Sequence, residues 1–377
     1  MIPALFWIVT GLFLSSWLIY PLFLMGLSIF FRKYSSSWNE PEEWPSVSVL
    51  IAARNEEKVI ASRIRNILEQ NYAGTIEILI GSDGSDDKTD FIAGTFRNKG
   101  VILYRSEKSI GKPLMIQKLR ELSSGEILVF SDADTVFAPE TIGELVIPYS
   151  NPHVGCVDGS RRNSLIEDTC ESMYWKYETT VKKLCSSIGA VLGATGAVFS
   201  IRGNLFRPLS PRRSDDFELA VMTRLQGYSC VFNGNAVAAE PSPDDSEQYR
   251  RLVRIVSWMF ISCIQLTGKA LKRKDFLLFT QLLVHKVLRW FSGLFLAAAT
   301  VLAGFLSYKN FYMIPFLLMC VFHAAAAAGW LLKRHMPSKL LFPYYFWLMN
   351  IAALDGILKT LSGNPVETWK KSKGGTN

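Results

Sequence analysis

The chain has 377 residues, 49% of them hydrophobic, and a formal net charge of +8. That length makes one large domain or two ordinary ones, and the apolar content exceeds what a purely soluble chain needs. Many of the 41 Lys and Arg residues flank apolar runs and form no block of their own, which points to lipid surfaces and away from nucleic acid.

Residues 1–31 contain no charged side chain, and Arg32-Lys33 follow at once. A run of this length crosses a bilayer. It lacks a basic leader and is too long for the apolar core of a cleaved signal. Residues 1–33 are therefore expected to be a retained transmembrane helix with its basic end in the cytoplasm. Residues 34–45 are polar, carry two prolines and read as a linker.

A soluble α/β domain is expected next, over residues 34–245 with the linker included. Val47 to Ala53 is a strand run, and Val59, Ile60, Ile64, Ile67 and Leu68 recur at helical spacing. Ile76 to Ile80 is a second strand, running into Gly81-Ser82-Asp83-Gly84-Ser85-Asp86-Asp87. A helix over 86–98, a strand over 101–104 and a helix over 113–123 lead to the run Ile127-Leu128-Val129-Phe130. Strands alternating with helices predict a mostly parallel sheet covered on both faces. No internal repeat is present.

Beyond residue 240 the character changes again. Residues 246–290 mix Arg and Lys with large apolar residues at helical spacing, which predicts amphipathic helices in the membrane interface. Residues 291–308 and 310–332 lack Asp, Glu, Lys and Arg and are joined through Lys309. A third segment, 340–361, is interrupted by Pro343, Asp355 and Lys359. Transmembrane segments are thus expected over 291–361, with a polar tail over 362–377. Arg32-Lys33, Lys272-Arg273-Lys274 and Lys333-Arg334 can all be cytoplasmic if the first three apolar runs each cross once. A full crossing by 340–361 would put Lys370, Lys371 and Lys373 outside. That segment is either re-entrant or overrides the rule.

Six scattered cysteines with no CxxC pair, and four histidines far apart, argue against zinc and a disulfide framework. Any metal would be held by carboxylates. The strand from Ile127 ends in Ser131-Asp132-Ala133-Asp134. Ligands collect at the carboxyl ends of parallel strands, and two carboxylates there repel each other unless a cation joins them. Hard oxygen ligands suit Mg²⁺ or Mn²⁺, and such a cation completes its shell with substrate phosphates and water. By itself the stretch reads equally as a strand followed by a solvated turn.

Asp83 should open on the same sheet edge. Farther on, Ser214-Asp215-Asp216-Phe217-Glu218 has a capping-type spacing. With Asp215 as N-cap, Asp216 takes the first helical position and can serve as a general base. Both also read as plain helix-start acids favoured by the macrodipole.

In combination these landmarks resemble the family 2 glycosyltransferases, inverting enzymes with the Rossmann-like GT-A nucleotide-sugar fold. They are Pro45 to Glu56, Gly81 to Asp87, Gly111-Lys112, Asp132-Ala133-Asp134, Gly193-Ala194-Thr195-Gly196 and Asp215-Asp216. The arrangement of membrane segments is similar to the polysaccharide-synthase branch, including bacterial poly-N-acetylglucosamine synthases. The resemblance implies an integral protein of a bacterial inner membrane with its catalytic domain in the cytoplasm. It implies a UDP-sugar donor, Mg²⁺ or Mn²⁺, and a growing polysaccharide as acceptor. Transfer to a lipid carrier or membrane lipid is the runner-up, and a transporter or scaffold that only binds nucleotide is the reading from another class.

Residue by residue, the resemblance implies that Ala52 and Glu56 line the uridine pocket, with Asp83 on the uracil. Lys112 would approach the sugar or diphosphate. Asp132 would contact the nucleotide and donor sugar, and Asp134 would hold the metal. Asp216 would be the base, with Asp215, Gly193, Thr195 and Gly196 on the acceptor side. The Gln-x-x-Arg-Trp element of processive synthases is altered to Gln248-Tyr249-Arg250-Arg251-Leu252, with Trp258 only later. Arg251 and Arg254 could still clamp the diphosphate, or snorkel from an interfacial helix.

Overall fold

The structure is a computed structural model and describes residues 1–34, 38–163, 170–240, 245–332 and 336–363. The Lys333-Arg334 flank and the tail from 364 onward lie outside the described residues. The chain divides into two compact units. One draws on 1–30, 170–184, 245–332 and 336–363, the other on 31–34, 38–163 and 185–240.

The second unit is built on an eight-stranded sheet. Its strands are β1 (Val47–Ala53), β2 (Ile76–Asp83), β3 (Val101–Ser106), β4 (Ile127–Asp132), β5 (Val136–Phe137), β6 (Val154–Asn163), β7 (Phe199–Arg202) and β8 (Ser229–Glu240), in the order β3-β2-β1-β4-β7-β6-β8-β5. The half from β3 to β4 is parallel, as expected. Beyond β4 the sheet is mixed: β7 runs antiparallel to both β4 and β6, while β6 and β8 are parallel. The expectation of a mostly parallel sheet therefore holds for one half only. β7 enters the sheet after the helix Cys170–Ser187 and the 190–198 loop, antiparallel to both its neighbours.

β1 is buried along its whole length, as its continuous apolar sequence requires of a central strand flanked on both sides. Register brings the strand ends together, with Ala52 opposite both Gly81 and Asp132. Across the antiparallel junction Phe130 stacks on Phe199 with ring centroids 4.4 Å apart. Each such buried ring contributes roughly 2 kcal/mol by burial. The helix Ile60–Leu68 buries Ile60, Ile64 and Ile67 at helical spacing, and Arg63 on the same face.

The first unit is helical. Ile2–Phe30, Asn310–Leu332 and Lys339–Leu361 are long and apolar enough to cross a membrane. Phe276–Leu288 and Ser292–Leu306 form an apolar pair bent by 65°. The sequence boundary at 290 thus shifts: Asp245–Lys272 is one amphipathic helix, and the apolar segment already begins at Phe276. Asn350 serves the bend, its Oδ1 accepting from Gly293 N at 2.8 Å and Ser292 Oγ at 3.1 Å. Pro343 falls in the first turn of Phe342–Leu361, where its missing N–H breaks no bond. Asp355 pairs with Lys359 at 2.8 Å and accepts from the Tyr249 hydroxyl at 3.2 Å, so the helix runs through without interruption. Arg289 pairs with Glu178 at 2.6 Å, with the rings of Trp17 and Tyr177 at 4.2 and 5.3 Å from its guanidinium.

Candidate active site

The loops that leave β1 and β2 are laced together. Asn55 N donates to Ser85 Oγ, Asp86 N to Asn55 Oδ1, Glu56 N to Thr89 Oγ1 and Glu57 N to Asp87 Oδ2. Asn55 has φ +55°, a left-handed conformation that Asn tolerates better than most residues. Ala52 is buried at the floor of this edge and Glu56 is half-buried on its loop.

Asp83 is fully buried as the last residue of β2. Its carboxylate accepts from Ile110 N at 2.6 Å, Gly111 N at 3.0 Å and Ser109 Oγ at 2.8 Å. It therefore holds the loop that leads into the helix Lys112–Leu122. A carboxylate offers about four lone-pair sites, and these bonds use three of them. Gly84 (φ +63°) lets that loop approach, since a Cβ there would sit 2.8 Å from Ser109 N.

Lys112 begins its helix, and its ammonium lies 2.6 Å from Asp132 Oδ1 and 3.6 Å from Asp215 Oδ2. One cation thus joins the end of β4 to the start of the helix Asp215–Leu225. Burial opposes the charge on Lys112, but Asp132, Asp215 and Asp216 outweigh it and hold its pKa above the ordinary lysine value. Asp215 Oδ2 is buried without a hydrogen bond. Burial raises the Asp215 pKa to about 6, against the pull of Lys112 and with reinforcement from Asp216 and Asp132.

The helix start differs from the expected one. Ser214 is the N-cap, Asp215 the first helical residue and Asp216 the second. Asp216 Oδ1 accepts from Phe217 N at 2.7 Å and from Ser214 Oγ. The Asp215 to Glu218 capping box does not form, because Asp215 is turned to Lys112 and Ser214 occupies the cap. The other Asp216 oxygen faces the 193–196 loop: a Cβ at Gly196 would lie 3.0 Å from Oδ2. Gly193 packs against the Phe217 ring, where a Cβ would be 3.2 Å away. Thr195 N donates to the buried Asp158 at 2.7 Å, which fixes the loop to β6.

Asp134 lies in the turn after β4, half-buried. Among the described residues its carboxylate has no hydrogen bond or ion pair, in contrast to Asp132. Also among the described residues, no three His, Cys, Asp or Glu side chains form a metal cluster. A hard divalent cation fits this donor set, because such ions take one or two carboxylates and complete the shell with substrate oxygens and water. Asp134 would hold it, with Asp132 alongside.

All the predicted site residues of the sheet unit thus converge on the carboxyl edge of β1, β2 and β4. Arg251 and Arg254 belong to the helical unit, on Asp245–Lys272, where the Arg254 guanidinium lies 5.8 Å from the Trp258 ring. Sequence reasoning missed Arg63, Ser131 and Asp158. The only available signal was a polar residue inside an apolar periodic face. A cavity of about 470 Å³ lined by Pro45, Arg120, Ile127 and Arg202 sits at the amino ends of β1 and β4, away from these carboxylates.

Comparison with known proteins agrees with this geometry. Residues 48–204 match the family described as glycosyl transferase family 2. An N-acetylglucosaminyltransferase of Rhizobium leguminosarum bv. viciae is 26% identical over 231 residues, 55% of this chain and 54% of the relative. A beta-monoglucosyldiacylglycerol synthase of Trichormus variabilis is 31% identical over 165 residues, 42% of this chain and 35% of the relative. The chain spans about half the length, or less, of these curated relatives. The mannosyltransferase PcManGT from Pyrobaculum calidifontis, solved with GDP-Man and Mn²⁺, aligns over 96% of this chain and 99% of its own with a TM-score of 0.73. At 19% identity that likeness establishes the fold alone, the GT-A type.

Proposed function

Residues 48–204 are a glycosyl transferase family 2 domain, and from that premise we propose that the chain is a membrane-embedded inverting glycosyltransferase. It moves a sugar from a UDP-sugar to a hydroxyl of a growing polysaccharide, with Mg²⁺ or Mn²⁺ bound. The observation that carries this reading is the Lys112 bridge between Asp132 and Asp215, the carboxylates this reading assigns to the donor and acceptor sides. The N-acetylglucosaminyltransferase relative supports transfer of a sugar, with N-acetylglucosamine as a candidate.

In this reading Ala52, Glu56 and the remaining lone pair of Asp83 face the nucleobase and ribose, and Asp132 and Lys112 face the diphosphate and donor sugar. Arg251 and Arg254 are assigned to the diphosphate by their guanidinium chemistry. The metal, when bound at Asp134, supplies charge stabilisation for the departing diphosphate. Asp216 removes the proton from the acceptor hydroxyl, its Oδ1 held by Ser214 and Phe217 so that Oδ2 is left for the acceptor. Gly193, Thr195, Gly196 and Asp215 shape that side. With one base and no second carboxylate nucleophile in the roles assigned, attack from the face opposite the leaving group inverts the anomeric carbon.

The basic flank Arg32-Lys33 and the spanning-length helices support a bacterial inner-membrane protein with its catalytic unit in the cytoplasm. A second reading, transfer to a membrane lipid, is favoured by the diacylglycerol-directed name of the 31% identical relative and by the altered Gln-x-x-Arg-Trp element. The test is a panel of nucleotide sugars with detergent-purified protein and Mn²⁺, read as diphosphate release and product mass. A sugar ladder supports elongation, a single lipid-soluble product supports the second reading, and no release from any donor refutes both. Asp216→Asn should abolish transfer while UDP still binds. Asp134→Asn should weaken Mn²⁺-dependent UDP binding about tenfold or more, a loss near 1.4 kcal/mol.

A further inference from the structure

Arg63 is a full guanidinium buried behind the carboxylate turn, 2% exposed. It reaches there from the inner face of Ile60–Leu68, with its Nη1 donating to Asn66 Oδ1 and its Nη2 donating to Ser131 Oγ at 2.8 Å. The guanidinium carbon lies 4.1 Å from the centroid of the Phe137 ring. Asn66 in turn clamps Phe137, accepting from its N–H at 2.8 Å and donating to its C=O at 2.9 Å. Ser131 Oγ passes the chain on to Ala197 C=O at 2.9 Å, at the end of the acceptor-side loop. Every one of these contacts fixes the segment 131–137, which contains Asp132 and Asp134.

A buried cation needs compensating charge. Among the described residues Arg63 has no carboxylate hydrogen-bond partner, yet the field of Asp132 and Asp134 stabilises it. Burial pushes its pKa down to about 9 against that field, so it stays protonated at neutral pH. Lys112 sits 2.6 Å from Asp132. Arg63 and Lys112 thus place two protein cations in the field of the turn's acids.

We propose that Arg63 is a positioning residue and built-in countercharge of the Asp132–Asp134 turn, which keeps the affinity for a divalent cation low until a nucleoside diphosphate arrives to restore the negative charge. Metal and nucleotide then bind as a cooperative pair. This rests on the metal–diphosphate reading of the site.

The test is Mn²⁺ binding to the full detergent-solubilised chain, followed by electron paramagnetic resonance of the free ion, with and without UDP. The parent protein should bind Mn²⁺ weakly alone and at least tenfold more tightly with saturating UDP, beyond the Mn²⁺ that UDP takes up in protein-free controls. Arg63→Met should bind Mn²⁺ alone roughly threefold to tenfold more tightly, by removal of a nearby like charge. Lys112→Met, which removes the other cation beside Asp132, should shift bare Mn²⁺ binding in the same direction. Arg63→Lys, which keeps the charge, should stay within about twofold of the parent. A merely structural role predicts the opposite for Arg63→Met: bare Mn²⁺ binding unchanged or weaker in folded protein. That result, or unchanged Mn²⁺ affinity in Lys112→Met should Arg63→Met fail to fold, overturns the proposal. No protein-bound Mn²⁺ even with UDP overturns the underlying site reading as well.

Discussion

Asp215→Asn should make the protein more stable and less active. Asp215 is buried, and its Oδ2 makes no hydrogen bond while facing Lys112 at 3.6 Å. Its pKa is raised from 3.8 to about 6, first by burial and then by Asp216 and Asp132. A carboxyl whose folded pKa exceeds its unfolded value binds more protons in the native state, so stability falls as pH rises through that window. The penalty is absent below about pH 4, grows between 4 and 6, and is fully present at pH 7. Two units at about 1.4 kcal/mol each give on the order of 2–3 kcal/mol. An amide of the same shape removes the charge, and Asp132 remains as partner for Lys112. The assay is thermal unfolding of detergent-solubilised protein, parent against variant, at several pH values between 4 and 8. The variant should melt a few degrees higher at pH 7.5, and the difference should close towards pH 4. A variant that melts lower at pH 7.5, or a difference that ignores pH, would refute the reasoning.

Gly196→Ala should lower turnover about tenfold or more while UDP affinity holds, because the added Cβ would lie 3.0 Å from Asp216 Oδ2 and push the base from its position; steady-state kinetics with unchanged kcat would count against it. Asn350→Leu should destabilise the helical unit by about 1–3 kcal/mol, because the Gly293 N–H at the bend loses its acceptor in an apolar setting. A melting temperature equal to that of the parent would show that the bend does not depend on this bond.

What was legible in the sequence was local. Continuous apolar runs placed β1, β2 and β4 to within a few residues, since strands buried on both faces have no polar residue to spare. Charge-free stretches located the helices long and apolar enough to cross a membrane, because hydrocarbon excludes ionised groups. Pro343 misled as a break, since its effect depends on whether it falls in a first turn or a helix interior. Asp355 misled likewise: Lys359 pairs with it one turn on in the same helix, and the Tyr249 hydroxyl reaches it only once the helices are packed.

The sequence by itself determined which residue types meet at the edge of the sheet: acids that end β2 and β4, and acids that open the helix at 215. That follows from their positions at the ends of periodic segments. Only the tertiary structure decided how they divide the work. Register and packing brought Lys112 between Asp132 and Asp215, turned Asp83 to its own loop, moved the cap to Ser214 and left Asp134 without a hydrogen-bond partner among the described residues. The same packing carried Arg63 behind the turn, where its charge acts on acids roughly seventy residues away in sequence. Such pairings are set by three-dimensional distance, and no periodicity along the chain encodes them.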